Sequence, residues 1–93
     1  MSNVTAPASA SIQVGGTAQV LFPAMNMGYL FELFNPYLAT ESLFVSDGAV
    51  ATVNSIEVKP GGYFRSESLT TNAVSILGAS SGHAFYARSF NGN

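Results

Sequence analysis

The stretch Ile56-Glu57-Val58-Lys59-Pro60-Gly61-Gly62-Tyr63-Phe64-Arg65 decides the fold. Ile56 and Val58 alternate with Glu57 and Lys59, a period of two that puts apolar side chains on one face of a strand and charges on the other. Pro60 then removes a backbone donor and Gly61-Gly62 supplies turn geometry, so the chain reverses. Tyr63-Phe64-Arg65 begins the next strand. The same grammar extends in both directions. Toward the N-terminus, Ala49 to Asn54 fits either a loop or a poor edge strand, and Asp47-Gly48 closes a strand over Ser42 to Val45. Gly28-Tyr29-Leu30-Phe31-Glu32-Leu33-Phe34 is nearly continuous in apolar residues and ends at the turn signal Asn35-Pro36. Its length suits a strand covered on both faces, with Glu32 the polar exception.

Further back, Ile12 and Val14 alternate with Ser11 and Gln13, and Ala18, Val20 and Phe22 with Thr17, Gln19 and Leu21. Gly15-Gly16 between them predicts a hairpin, and Pro23 ends its second strand. Toward the C-terminus, Val74 and Ile76 form a short strand stopped by Gly78. Ala84, Tyr86, Arg88 and Phe90 then share one face of a last strand, with Phe85, Ala87 and Ser89 on the other. No window keeps the three-and-four spacing of an amphipathic helix over more than two turns. About eight short strands at near-regular spacing predict an all-β fold with almost no helix: a small antiparallel β-sandwich, jelly-roll-like. Residues 12–93 form the single domain. Residues 1–11 are small, polar and without period, an extended or flexible N-terminal arm.

The 93 residues leave room for one domain, natural domains running from ~50 to ~250 residues. Area scaling gives roughly 5,000 Å² of folded surface, with ~64% of the extended chain's surface buried. Hydrophobic residues make up an ordinary 47%, but charged residues only 9%, where a soluble domain averages about 25%. Three basic residues (Lys59, Arg65, Arg88) against five acidic ones cannot neutralise a run of phosphates or bind an anionic bilayer, which argues against nucleic-acid and membrane partners. Eleven Tyr and Phe together argue against disorder. Without cysteine there is no disulfide, thiolate ligand or cysteine nucleophile, a composition suited to a reducing compartment. The first residues show no basic and apolar leader pattern, so no secretory signal is expected, and Asn3-Val4-Thr5 is read as a chance match to a glycosylation acceptor. Val20 to Leu38, the most apolar window, is broken by Pro23, Asn26, Gly28, Glu32, Asn35 and Pro36, unlike a membrane span.

No residue set announces catalysis. His83 is the one histidine, so a zinc site of nitrogen and sulfur ligands cannot be assembled. No nucleophile-elbow sequence marks any serine, and the glycine pairs match no phosphate loop. The expectation is no catalytic residue, no cofactor and no metal. Glu57 with Lys59, and Arg65 with Glu67, are expected as surface pairs worth about 0–1 kcal/mol each.

The aromatic residues carry more information. A core of this size takes Val14, Val20, Phe22, Phe31, Leu33, Val45, Ile56, Val58, Val74, Ile76 and Phe85. Tyr29, Leu30, Phe34, Tyr37, Leu38, Phe44, Phe64, Tyr86 and Phe90 are then in surplus. With so few charges, the surface must show them or cover them, and exposed apolar patches mark contact surfaces. Tyr29, Phe34, Tyr37, Leu38, Phe44, Phe64, Tyr86 and Phe90 are therefore candidate interface residues. Ser2, Asn3, Val4, Thr5 and Pro7 of the arm are candidates for pairing with a neighbour's sheet.

A set of ordered phrases resembles small β-rich virion proteins of tailed bacteriophages, of the capsid cement or decoration type. They are Val14-Gly15-Gly16-Thr17-Ala18-Gln19, Gly28-Tyr29-Leu30-Phe31 leading to Phe34-Asn35-Pro36, Leu43-Phe44-Val45-Ser46-Asp47-Gly48, Ile56 to Tyr63, Ala73 to Ala79 and Gly82-His83-Ala84-Phe85. Met25-Asn26-Met27, where relatives tend to carry basic residues, and the aromatic run Phe34 to Leu38 depart from that look. The resemblance implies a protein that binds the outside of an icosahedral phage shell, with the major capsid protein as partner and the virion surface as its place after assembly in the host cytoplasm. It also implies a homo-oligomer, a trimer or dimer at a symmetry axis. The alternatives are a tail-side virion component (adaptor, small spike or fibre module) and a small-molecule- or sugar-binding jelly roll.

Overall fold

The computed structural model describes residues 4–7 and 9–91. Eight strands follow one another: β1 (Val4–Thr5), β2 (Gln19–Phe22), β3 (Tyr29–Phe34), β4 (Leu43–Asp47), β5 (Ile56–Val58), β6 (Tyr63–Arg65), β7 (Val74–Gly78) and β8 (Tyr86–Asn91). No helix occurs among the described residues, so none is long and apolar enough to cross a membrane. The strands form two antiparallel four-stranded sheets, ordered β1-β8-β3-β6 and β2-β7-β4-β5.

This order has a simple origin. β4 pairs with β5, β3 with β6, β2 with β7 and β1 with β8, so the chain is one long nested hairpin with β4–β5 at its tip. Rolling it up sends alternate rungs to opposite sheets, and the β3–β8 and β4–β7 pairings close each sheet. An eight-stranded double sheet wound in this way is a jelly roll. The expected all-β sandwich is the observed one, and its accessible surface of 5230 Å² matches the size expected from chain length.

The core lies between the sheets. Tyr29, Phe31, Leu33, Phe85 and Ala87 from the first sheet and its lead-in meet Leu21, Phe22, Leu43, Val45, Val58, Val74 and Ile76 from the second, with Ile12 closing one end. Phe22 joins the layers, its ring centroid 6.1 Å from Tyr29 and 6.0 Å from Phe31, within the range of favourable aromatic pairs.

Three expected core residues are not in the core. Val20 is 49% exposed while Leu21 and Phe22 are both buried. The cause is a register shift between Val20 and Phe22 on β7, an irregularity that breaks strict alternation. Val14 is exposed because the predicted hairpin does not form. Gly15-Gly16 does turn the chain, with Thr17 N–H donating to the Val14 carbonyl at 3.2 Å. Ile12, however, bonds to Gly82 and His83, and β2 pairs with β7. Gly15 serves close approach, since a methyl there would run into the Ala79 carbonyl. Ile56 pairs with Val45 and points between the sheets, but at their open edge, where it stays 47% exposed.

Residues 49–54 are a loop. Ala51 is buried, its N–H donating to Ser75 Oγ at 2.9 Å on the outer side of the second sheet. The N-terminal segment is not a free arm over its described part. Val4–Thr5 lie antiparallel to Ser89–Phe90, Gln19 Nε2 donates to Ser9 Oγ at 2.7 Å, and Phe85 N–H donates to the Ala10 carbonyl. Pro7 is half-buried. Ser2 and Asn3 lie outside the described residues.

Candidate functional site

β3 is central in the first sheet, and its period of two turns Tyr29, Phe31 and Leu33 to the core and Leu30, Glu32 and Phe34 outward. Register then builds rows across the outer face. Phe34 faces Tyr86 on one side and Tyr63 on the other; Glu32 faces Arg88 and Arg65; Leu30 faces Phe90. The aromatic row is tight, with Phe34 and Tyr63 stacked at 5.3 Å and 25° and Phe34 and Tyr86 at 5.8 Å.

The middle row is an ion triad. Arg65 donates from Nη2 at 2.8 Å and from Nε at 3.2 Å to Glu32 Oε1, while Arg88 Nε–H donates to Oε2. The two guanidinium groups roof the carboxylate, leaving the Glu32 side chain 1% exposed and Arg65 62% exposed. Burial pushes the Glu32 carboxyl upward, but hydrogen bonds and charge from Arg65 and Arg88 outweigh it and hold it below the ordinary carboxylate range. The bond to Glu32 in turn raises Arg88 above the ordinary guanidinium value. Arg88 also lies 4.9 Å over the Phe90 ring, a cation–π contact. With both carboxylate oxygens engaged, the face presents guanidinium and phenol groups outward, a pairing enriched at protein interfaces.

A second cluster ties the loops together at one end of the roll. Asn35, buried after β3, donates from Nδ2 to the Glu41 and Val58 carbonyls at 2.9 Å each, leaving Oδ1 as an acceptor. His83 Nε2 lies 2.8 Å from that oxygen, at hydrogen-bond distance, and the other ring nitrogen, Nδ1, lies 3.9 Å from Glu41 Oε1. Glu41 accepts from the Ser80 hydroxyl at 3.1 Å, and Ser81 Oγ accepts from Gly15 N–H at 2.9 Å. This arrangement latches the 35–41 and 80–83 loops beside an open cleft of about 440 Å³. Among the described residues no three His, Cys, Asp or Glu side chains converge as metal ligands would.

No protein-family model, curated protein or solved structure was found to match the chain.

The expected interface residues separate onto different surfaces. Phe34, Tyr86 and Phe90 share the outer face of the first sheet. Tyr37 and Leu38 stand at the tip of the β3–β4 loop, 85% and 86% exposed. Phe44 is on the outer face of the second sheet, opposite Leu77 and Glu57. One expectation is corrected and another is narrowed. Tyr29 is fully buried, turned inward by the β3 period with its hydroxyl donating to the Asn72 carbonyl. Phe64 pairs with Leu33 and faces inward, 5.7 Å from Phe31. Tyr29 is thus withdrawn from the surface, whereas Phe64 is half-buried and lines the open groove between β5 and β6.

The expected surface pairs are replaced as well. Arg65 binds Glu32 across the sheet, because β6 ends at Arg65 and Glu67 is not on the strand. Glu57 accepts a 2.6 Å bond from the Ser42 hydroxyl. Sequence reading missed Tyr63, Glu32, Arg65 and Arg88 as a group. The signal was present in part, since Tyr63 and Arg65 alternate around Phe64 and Glu32 interrupts an apolar run.

Proposed function

We propose that this chain is a structural virion protein, a capsid cement or decoration protein that oligomerises and stabilises a phage shell from the outside. The observation that carries this reading is the surface balance. Eleven large hydrophobic residues are exposed among the described residues, whereas the whole chain has three basic and five acidic side chains. A surface richer in apolar groups than in charges is suited to lasting contacts with neighbours rather than to solitary life in water. Three further points support it: the phrase-level resemblance, the highly exposed Tyr37-Leu38 tip, and the jelly roll, an architecture used in viral capsid domains.

In this reading the major capsid protein is the partner, and many weak, mostly uncharged contacts per particle add up to firm attachment. The jelly roll also occurs in lectins, which keeps the sugar-binding alternative; there a monodisperse monomer would hold the ligand among its aromatic side chains. Quantitative mass spectrometry and cryo-EM of native particles test the proposal. Hundreds of copies on the shell surface support cement, a dozen or fewer at one vertex support a tail-side component, and absence from particles overturns both.

A further inference from the structure

We propose that copies of this chain associate head to tail, the outer face of the first sheet in one copy seating on the acid-rimmed groove between β5 and β6 of the next. The inference rests on the assembly reading above and adds the contact that makes the assembly. It follows from how charge is distributed. The outer face carries two arginines and one glutamate, a local charge of +1, and Glu32 is sealed beneath them. The chain's net charge is −2, so every other surface together carries −3, from Lys59 against Glu41, Asp47, Glu57 and Glu67. Two outer faces docked on each other by a two-fold axis would oppose guanidinium groups with no exposed acid between them, which is unfavourable.

The complementary surface is the edge of the sandwich. There the sheets leave an open groove of about 410 Å³, floored by Phe31, Val45, Ile56 and Phe64 and rimmed by Asp47 and Glu67. Ile56 is partly uncovered, and Glu67 is exposed with no ion-pair partner among the described residues. Apolar floor with acidic rim matches tyrosine beside arginine. Seating one on the other covers both surfaces and gives Arg65 a carboxylate beyond Glu32. β6 belongs to both surfaces, offering Tyr63 and Arg65 outward and Phe64 to the groove. Head and tail are thus adjacent sides of one molecule, so each added copy turns relative to the last, the geometry of a heterologous ring or helical run rather than a two-fold pair.

Complementation of full-length variants by sedimentation velocity tests this. Tyr63→Glu spoils the head and Glu67→Lys the tail; each is expected to weaken self-association about tenfold or more. An equimolar mixture keeps one good head and one good tail and is expected to give a one-to-one heterodimer that grows no further. Tyr86→Glu and Ile56→Lys form an independent pair should either first variant fail to give the wild-type circular dichroism spectrum. Wild-type association is also expected to weaken between about 50 mM and about 500 mM salt, as screened ion pairs do. A mixture that stays monomeric while the wild type associates, or variants that associate like the wild type, overturns the head-to-tail contact. If wild-type protein still binds shells in that case, the cement reading stands; wild type that stays monomeric and binds no shell overturns both.

Discussion

Glu32 sits on the solvent side of its sheet yet is nearly sealed from solvent, because Arg65 and Arg88 lie across it from both flanking strands. Its pKa in the folded chain is below the ordinary value of 4.5. The triad's stabilisation is therefore complete above that value and is lost as pH falls through the lower, folded-state one. Urea midpoints are expected to hold steady from about pH 7 to about pH 5 and to drop on further acidification. Glu32→Gln, which turns amide donors toward arginine donors, is expected to cost about 1.5–3 kcal/mol near neutrality and to flatten that acid decline. Ser89 is the opposite case. It faces the core from β8, and its hydroxyl has no partner in the structure. Ser89→Ala is expected to leave stability unchanged or raise it by up to about 1 kcal/mol, read from the thermal midpoint, because it removes an unsatisfied buried polar group.

β2 shows how a single irregularity redistributes side chains. Plain alternation assigns Val20 to the core and Leu21 to solvent; the register shift against β7 reverses both. Leu21→Ala is therefore expected to cost about 2–5 kcal/mol and Val20→Ala only about 0.5 kcal/mol or less, measured by chemical denaturation. Equal effects would contradict the shifted register. β5 and β6 were legible from Ile56 to Arg65 because alternation and a Pro-Gly-Gly turn agree there. The hairpin read across Gly15-Gly16 was not, since the turn is real but the partner of β2 is β7, more than fifty residues away. Local pattern names a strand; it does not choose its neighbour.

The nested pairing places β1 and β8, the first and last strands, side by side at one edge of the roll. Among the residues whose burial is described, none before Ile12 belongs to the core, so removing residues 1–7 is expected to leave a folded domain with a slightly lower thermal midpoint and an uncovered β8 edge. In the cement reading the same truncation weakens shell attachment, measurable as occupancy on particles; unchanged occupancy would remove this segment from the shell contact. Tyr37→Ser with Leu38→Ser is expected to leave the melting curve unaltered, since both side chains are almost wholly exposed, and to lower attachment. Of the candidate surface, Tyr86 and Phe90 were legible as one face because they share the period of β8, and Phe34 joins them only through the β3–β8 register. Glu32 with its two arginines was not, because they come from three strands separated by long stretches of sequence.

By itself the sequence determined the strand class, most turns, the shortage of charge and the excess of aromatic side chains, all of which depend on near neighbours and composition. Only the tertiary structure decided which strands pair, which aromatic residues are swallowed and which stand outside, and that both flanking arginines converge on Glu32. Those outcomes depend on register between segments distant along the chain, and a shift of one residue in a strand moves every side chain to the opposite face.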